Sequence, residues 1–155
     1  MDLYQYLQSA RKSLFRFETL QEYNVGDDGL DDQGMKDWWD FITLKTSAGV
    51  KMERVRLTIE PFTEYTKKEL LVHAKSKTFG DDIRTIDEAT FKRLSIKQED
   101  FWLIDDNIVL SMKYSDSGVY LGFDIIETEI QKYVETKNTL NELPRPEGTG
   151  YHLFV

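Results

Sequence analysis

Residues Glu99–Ile126 read Glu-Asp-Phe-Trp-Leu-Ile-Asp-Asp-Asn-Ile-Val-Leu-Ser-Met-Lys-Tyr-Ser-Asp-Ser-Gly-Val-Tyr-Leu-Gly-Phe-Asp-Ile-Ile, and no other stretch constrains the fold as much. Three β-rich runs, Phe101–Ile104, Ile108–Tyr114 and Val119–Ile126, are separated by Asp105-Asp106-Asn107 and by Ser115-Asp116-Ser117-Gly118. Asp, Asn and Gly close tight hairpins because they tolerate the left-handed backbone that such turns need. The expectation is a three-stranded antiparallel meander with an acidic first corner. Trp102 and Tyr120 are expected to be mostly buried, and since Trp102 alternates with Leu103 across the sheet, helices should cover both faces.

Upstream, Leu3, Leu7, Ala10 and Leu14 recur at helical spacing, whereas Phe15-Arg16-Phe17-Glu18 alternates as a strand does. Val25–Gly34, rich in Asp and Gly, reads as a surface loop. A helix is predicted from near Met35 to Gly49, carrying Trp38, Phe41, Ile42 and Lys45. Arg54–Ile59 is a strand with Val55, Leu57 and Ile59 on one face and Arg54, Arg56 and Thr58 on the other. Beyond Pro61, Thr63 or Glu64 starts a helix that runs toward Phe79. Asp82–Ile86 is a second short strand, so strand, helix and strand form a βαβ unit with a parallel pair. Ile126, Ile130, Tyr133, Val134 and Leu140 mark a C-terminal helix that stops before Pro144. The fold class is therefore α/β: one domain over residues 1–143, with a mixed sheet of one βαβ unit and the meander, followed by a C-terminal tail at 144–155.

With 155 residues, 40% of them apolar, the chain can bury one substantial core. It contains no Cys, which excludes disulfides, a thiol nucleophile and thiolate metal sites. No secretion signal or membrane-length apolar run is visible, so a soluble cytoplasmic protein without membrane contact is expected. The net charge of −8 is uneven. Val50–Leu94 holds ten Lys or Arg against eight Asp or Glu, a balance of +2, which leaves −10 on the rest. An acidic body repels a polyphosphate, so direct nucleic-acid binding is not expected.

The blocks Phe15-Arg16-Phe17-Glu18-Thr19-Leu20 with Tyr23, Arg54-Val55-Arg56, Glu60-Pro61-Phe62-Thr63-Glu64-Tyr65 with Glu69, Gly80-Asp81-Asp82-Ile83-Arg84 and Asp100-Phe101-Trp102-Leu103-Ile104-Asp105-Asp106 resemble, in the same order, a bacterial family of small acidic proteins classed as a domain of unknown function. The resemblance implies a cytoplasmic protein often encoded beside helix-turn-helix regulators. It departs at Asp82, where Glu is usual, and at Val72–Lys77, where the family tends to an apolar, Pro-containing segment. A more distant similarity of architecture is to half of a phospholipase-D-like fold. There the hairpin strand of active members carries a His and, two residues on, a Lys. This chain has Asp100, Phe101 and Trp102 in that place, which implies a degenerate, inactive copy.

Arg54, Arg56 and Arg84 are the leading candidates for anion binding, three guanidiniums expected on one sheet face and suited to fork-like contacts with phosphate or carboxylate. The competing expectation is an internal ion-pair network with Glu18, Glu60, Glu69 or Asp100. Asp81, Asp82, Asp105 and Asp106 can form a carboxylate corner that converges on Mg²⁺ or Ca²⁺, although turn chemistry accounts for them more simply. The acids of the Asp27–Asp32 segment lack the closing Glu of a calcium loop. His73-Ala74-Lys75 matches the His, any residue, Lys pattern but falls on a helix, so a surface His and a solvated Lys are expected there. Tyr151, Leu153 and Phe154 make an apolar tail that can be offered to a partner. No catalytic residue, cofactor or resident metal is expected. The reading is a non-enzymatic interaction module with a protein partner, and the alternative is a small phosphate-ligand binder or metal-assisted phosphoester hydrolase.

Overall fold

The computed structural model describes residues 1–24 and 32–145. In chain order the elements are α1 (Leu3–Gln8), β1 (Ser13–Glu18), α2 (Asp32–Ser47), β2 (Lys51–Thr58), α3 (Glu64–Lys77), β3 (Asp82–Asp87), α4 (Glu88–Leu94), β4 (Phe101–Ile104), β5 (Ile108–Tyr114), β6 (Tyr120–Ile126) and α5 (Ile130–Glu142). All six strands join one sheet in the order β3-β2-β1-β4-β5-β6. The chain is a single α/β domain with a mixed sheet, as its pattern predicted.

β2 and β3 are parallel neighbours, and β4, β5 and β6 form the antiparallel meander. The Phe15–Glu18 alternation, whose place in the sheet its pattern left open, becomes a central strand. β1 pairs in parallel with β2, Arg16 beside Arg54, and antiparallel with β4, Arg16 beside Trp102. There are therefore two βαβ units in succession, β1-α2-β2 and β2-α3-β3. The chain then reverses past β1 to lay down β4, so the topology switches between β1 and β4.

Opposite winding directions explain the two layers of helices. The apolar cluster on one face joins Leu7, Trp39, Phe41 and Ile42 from α1 and α2 to Leu14, Met52, Trp102 and Ile104 of the sheet, with Val72 of α3 against it. The cluster on the other face joins Phe91 of α4 and Leu140 of α5 to Phe15, Phe17, Val55, Leu57, Phe101 and Leu103. Trp102 is buried, but Tyr120 is not: it is 43% exposed, at the start of the marginal strand β6. Ile126, expected on the C-terminal helix, ends β6 instead. α4 was not anticipated; Asp87 starts it by accepting the Thr90 N–H at 2.7 Å.

The first hairpin corner is turn chemistry. Asp105 and Asp106 have φ of 54° and 53°, and Asn107 N–H donates to Ile104 O at 2.9 Å, which is the geometry that matches the strands' twist. The Asp105 carboxylate also accepts the backbone N–H groups of Arg11, Lys12 and Ser13 at 3.1, 2.7 and 2.9 Å. It thereby ties the entry of the central strand to the corner beside it.

Candidate functional site

Period-two alternation puts Arg16 and Glu18 of β1 on the same face as Arg54 and Arg56 of β2, toward the C-terminal ends of these parallel strands. Ligands of open α/β sheets commonly bind at such ends near a topological switch. α3 crosses above them, and its buried residues are Thr66, Glu69, Leu70, His73 and Ser76, a helical stripe that is mostly polar. Charged groups thus meet charged groups in the middle of the fold, and burial at this depth demands partners.

Each guanidinium has found a carboxylate. Arg16 Nη2 lies 3.0 Å from Asp100 Oδ2, Arg54 Nη1 lies 2.9 Å from Glu18 Oε1, and Arg56 Nε lies 2.6 Å from Glu69 Oε1. Arg54 Nε also reaches Asp81 Oδ2 at 3.5 Å. Asp100 is saturated: Thr19 donates to Oδ1 through its backbone N–H and its hydroxyl, and Tyr23 and Arg16 donate to Oδ2. Arg16 and Arg54 lie 5.6 and 5.4 Å from the Trp102 ring centre and Arg56 lies 5.4 Å from that of Tyr23, so aromatic faces complete their surroundings. Nη1 of Arg16, Nδ1 of His73 and all three Arg56 nitrogens have no hydrogen-bond partner, so the close approach of Arg56 Nε to Glu69 Oε1 is an ion pair without hydrogen-bond alignment.

The electrostatics follow from this geometry. Burial would raise Glu18, but Arg54, with His73, Arg16 and Arg56 behind it, holds its carboxyl far below the usual range. Glu69 goes the other way: burial and the negative Glu18 push it up to about 7, against the pull of Arg56 and Arg54. Burial drives His73 down to about 3, helped by Arg54 and Arg56 and opposed by Glu18. His73 is therefore a buried neutral imidazole, where a surface histidine was expected. Its helix presents a polar stripe to a charged sheet, which a search for apolar periodicity passes over.

Among the described residues, Glu18, Glu69 and His73 bring ligand atoms within 4.8 Å of one another, a spacing compatible with a metal ion. Arg54 and Arg56 already supply positive charge to the same two carboxylates, so a divalent cation would have to displace or face both guanidiniums. The cluster is balanced without one.

The other sequence candidates separate. Register pairs Arg84 with Val55, which puts it on the face opposite Arg54 and Arg56. There its Nη1 donates to the Asn141 and Leu143 carbonyls at the end of α5, at 2.8 and 3.2 Å. The expected face of three arginines is instead Arg16, Arg54 and Arg56, and Glu60 lies outside it, exposed. The four acids do not converge. Asp81 is buried against Arg54, Asp82 pairs with Arg145, Asp105 accepts backbone N–H groups, and Asp106 pairs with Lys137 at 2.6 Å. Tyr151, Leu153, Phe154 and His152, with Asp27, Asp28 and Asp31, lie outside the described residues.

A second exposed surface is the margin at β6. Among the described residues no strand pairs with its outer edge. Val119, Tyr120, Leu121 and Ile125 are 39, 43, 65 and 45% exposed. The stretch carries no Lys or Arg between Lys113 and Lys132, but it does carry Asp116, Asp124, Glu127 and Glu129. Lysine, proline and short length are the usual protections of a free edge, and here none is present on a seven-residue strand. This margin was missed because the sequence shows that Val119–Ile126 is a strand, not that nothing lies beyond it.

No helix among the described residues is long and apolar enough to cross a membrane. The chain belongs to a family described as a domain of unknown function (DUF6879), whose model matches residues 1–143. A search of curated proteins returns no match.

Proposed function

We propose that the protein is a non-enzymatic interaction module that receives an extended, basic-flanked segment of a partner protein along β6. The observation that carries the reading is the outer edge of β6, unpaired among the described residues, lined by Leu121 and Ile125 and flanked by Asp116 and Glu127, while Lys113 and Lys132 already pair with Asp124 and Glu129. Backbone N–H and C=O groups along such an edge offer a ladder to an incoming strand, alternate apolar side chains supply contact area, and Asp116 and Glu127 favour Lys or Arg at its ends. A second copy is a poorer occupant, because antiparallel pairing of two β6 edges would bring like charges and two bodies of net charge −8 together.

Internal pairing of the charges supports the non-enzymatic part, although Arg54, Glu69 and His73 border a cavity of about 280 Å³. A nucleophile needs an adjacent base within reach of substrate, and among the described residues the histidine, His73, is buried and held neutral at 3.6 Å from Glu18. In terms of the phospholipase-D-like resemblance, the positions of the missing His and Lys are spent on structure: Asp100 binds Arg16, and Trp102 is core.

Selection of a displayed random-peptide library on the purified protein tests the proposal. Enriched peptides should alternate apolar residues between Lys or Arg and should be lost with Leu121→Lys or Ile125→Lys, which leave the fold intact because both side chains are exposed. Peptides indifferent to both substitutions would refute it. So would a concentration-dependent dimer that the same substitutions abolish, or peptide binding that begins only when Tyr151–Val155 is deleted, since the edge would then belong to a second copy or to the chain's own end.

A further inference from the structure

At the opposite margin of the sheet, Arg84 of β3, Arg93 of α4 and Arg145 beyond α5 line one cavity of about 270 Å³, together with Thr85, Asp87 and Thr90. The geometry points to a second, independent site here, which takes the phosphate group of a small phosphorylated molecule. Three segments far apart in sequence each contribute a guanidinium, the group whose fork geometry recognises tetrahedral oxyanions.

The arginines are incompletely used. Arg84 engages the end of α5 through Nη1 alone. Arg93 is exposed, and its Nη2 stands 3.5 Å from Thr90 Oγ1, at the outer limit of a hydrogen bond. Arg145 pairs with Asp82 at the rim. Asp82, Asp87 and the buried Glu53 stand against the three guanidiniums, and the Asp87 carboxylate already accepts the Thr90 N–H at the start of α4. Burial and the nearby charge of Arg145 both lower the pKa of Arg84, a repulsion that an anion between them relieves. This contrasts with the arginines beneath α3, where every guanidinium is met by a carboxylate of the chain itself. The cavity has room for a phosphate and a small substituent, which sets the ligand class as a compact phosphate ester rather than a nucleic-acid strand. The acidic body, of net charge −8, also disfavours a polyphosphate backbone.

Titration of the full chain with inorganic phosphate, with citrate and chloride as parallel arms, tests the site by calorimetry and by the Nε–H signals of the arginines. The expected result is one saturable phosphate site with a Kd on the order of a millimolar or tighter, which moves the Arg84 and Arg93 signals. Loss of one charge-assisted contact in Arg93→Gln should weaken it about tenfold. Arg93 is exposed, so this variant keeps its fold. Arg84→Gln also frees the end of α5 and serves only as a second variant. A response that does not saturate, one equalled by chloride or citrate, or one unchanged in Arg93→Gln would overturn the assignment. None of these outcomes bears on peptide capture at β6.

Discussion

Nε of Arg56 stands 2.6 Å from Oε1 of Glu69, with both side chains closed off from solvent beneath α3. Removing one partner of such a pair leaves a buried charge with nothing to answer it. Glu69→Ala is therefore expected to cost about 3–5 kcal/mol, and Arg56→Met combined with Glu69→Leu less than half of that, because the double change leaves no stranded ion. Urea unfolding of the three proteins measures the difference. Equal losses in the single and double variants would show that the pair contributes packing and not charge.

The same cluster predicts an unusual pH profile. Glu69 is raised from 4.5 to about 7, so between those values the folded protein keeps a proton that the unfolded chain has lost, and stability falls as pH rises. His73 is lowered from 6.5 to about 3, so between those values the unfolded chain takes a proton that the fold refuses, and stability falls as pH drops. From 4.5 to 6.5 the two slopes oppose each other. Glu69→Gln should leave a net loss on acidification through this window, and His73→Gln a net gain. Urea midpoints across the window, compared by slope rather than absolute value, decide between them.

Asp105 accepts N–H groups from Arg11, Lys12 and Ser13, and these hold its carboxyl below the usual range although partial burial raises it. Asp105→Ala loses these charge-assisted bonds and places alanine at a left-handed φ, at a cost of about 2–4 kcal/mol. Asp106→Ala shares the second penalty and loses instead an ion pair to Lys137. It should cost less, as thermal unfolding of both variants will show.

Trp102 is 6% exposed, packs at 5.9 Å from Trp38 and lies under Arg16 and Arg54. Trp102→Ala is expected to cost about 3–5 kcal/mol in urea unfolding, as large aromatic truncations in cores do. A loss below about 1 kcal/mol would place Trp102 among surface contacts instead.

The parts of this fold that were legible in the sequence are those fixed by local pattern. The corner at Asp105-Asp106 carries its own turn chemistry, and Thr63 caps α3 by accepting the Thr66 N–H at 3.0 Å. Alternation within β2 correctly put Arg54 and Arg56 together. What alternation cannot supply is the offset between strands. A one-residue change in register sends a side chain to the other face, and Arg84 falls opposite Val55, not opposite Arg54. Arg16 and Glu18 were visible as strand residues, but their place beside Arg54 and Arg56 depends on β1 entering the centre of the sheet, a pairing with no local signature. Glu69 was weighed as an ion-pair partner of the arginines, but the burial of His73 beside it was hidden because the buried stripe of α3 is polar and recurs by spacing alone.

The central position of β1 has a consequence in time. β1 is the first strand to leave the ribosome, and its β2 side can be covered once residues 51–58 follow, whereas its β4 side waits for residues 101–104. Until then Arg16 lacks Asp100, and the strand's open flank is a place for wrong neighbours. Folding should therefore be limited by closure of this seam. Leu103→Ala, at the contact with Phe15, should then slow refolding as well as hasten unfolding in stopped-flow traces, whereas Ile125→Ala at the far margin should change refolding little. The order of synthesis thus makes the middle of the sheet, rather than either of its free edges, the stretch most in need of a chaperone.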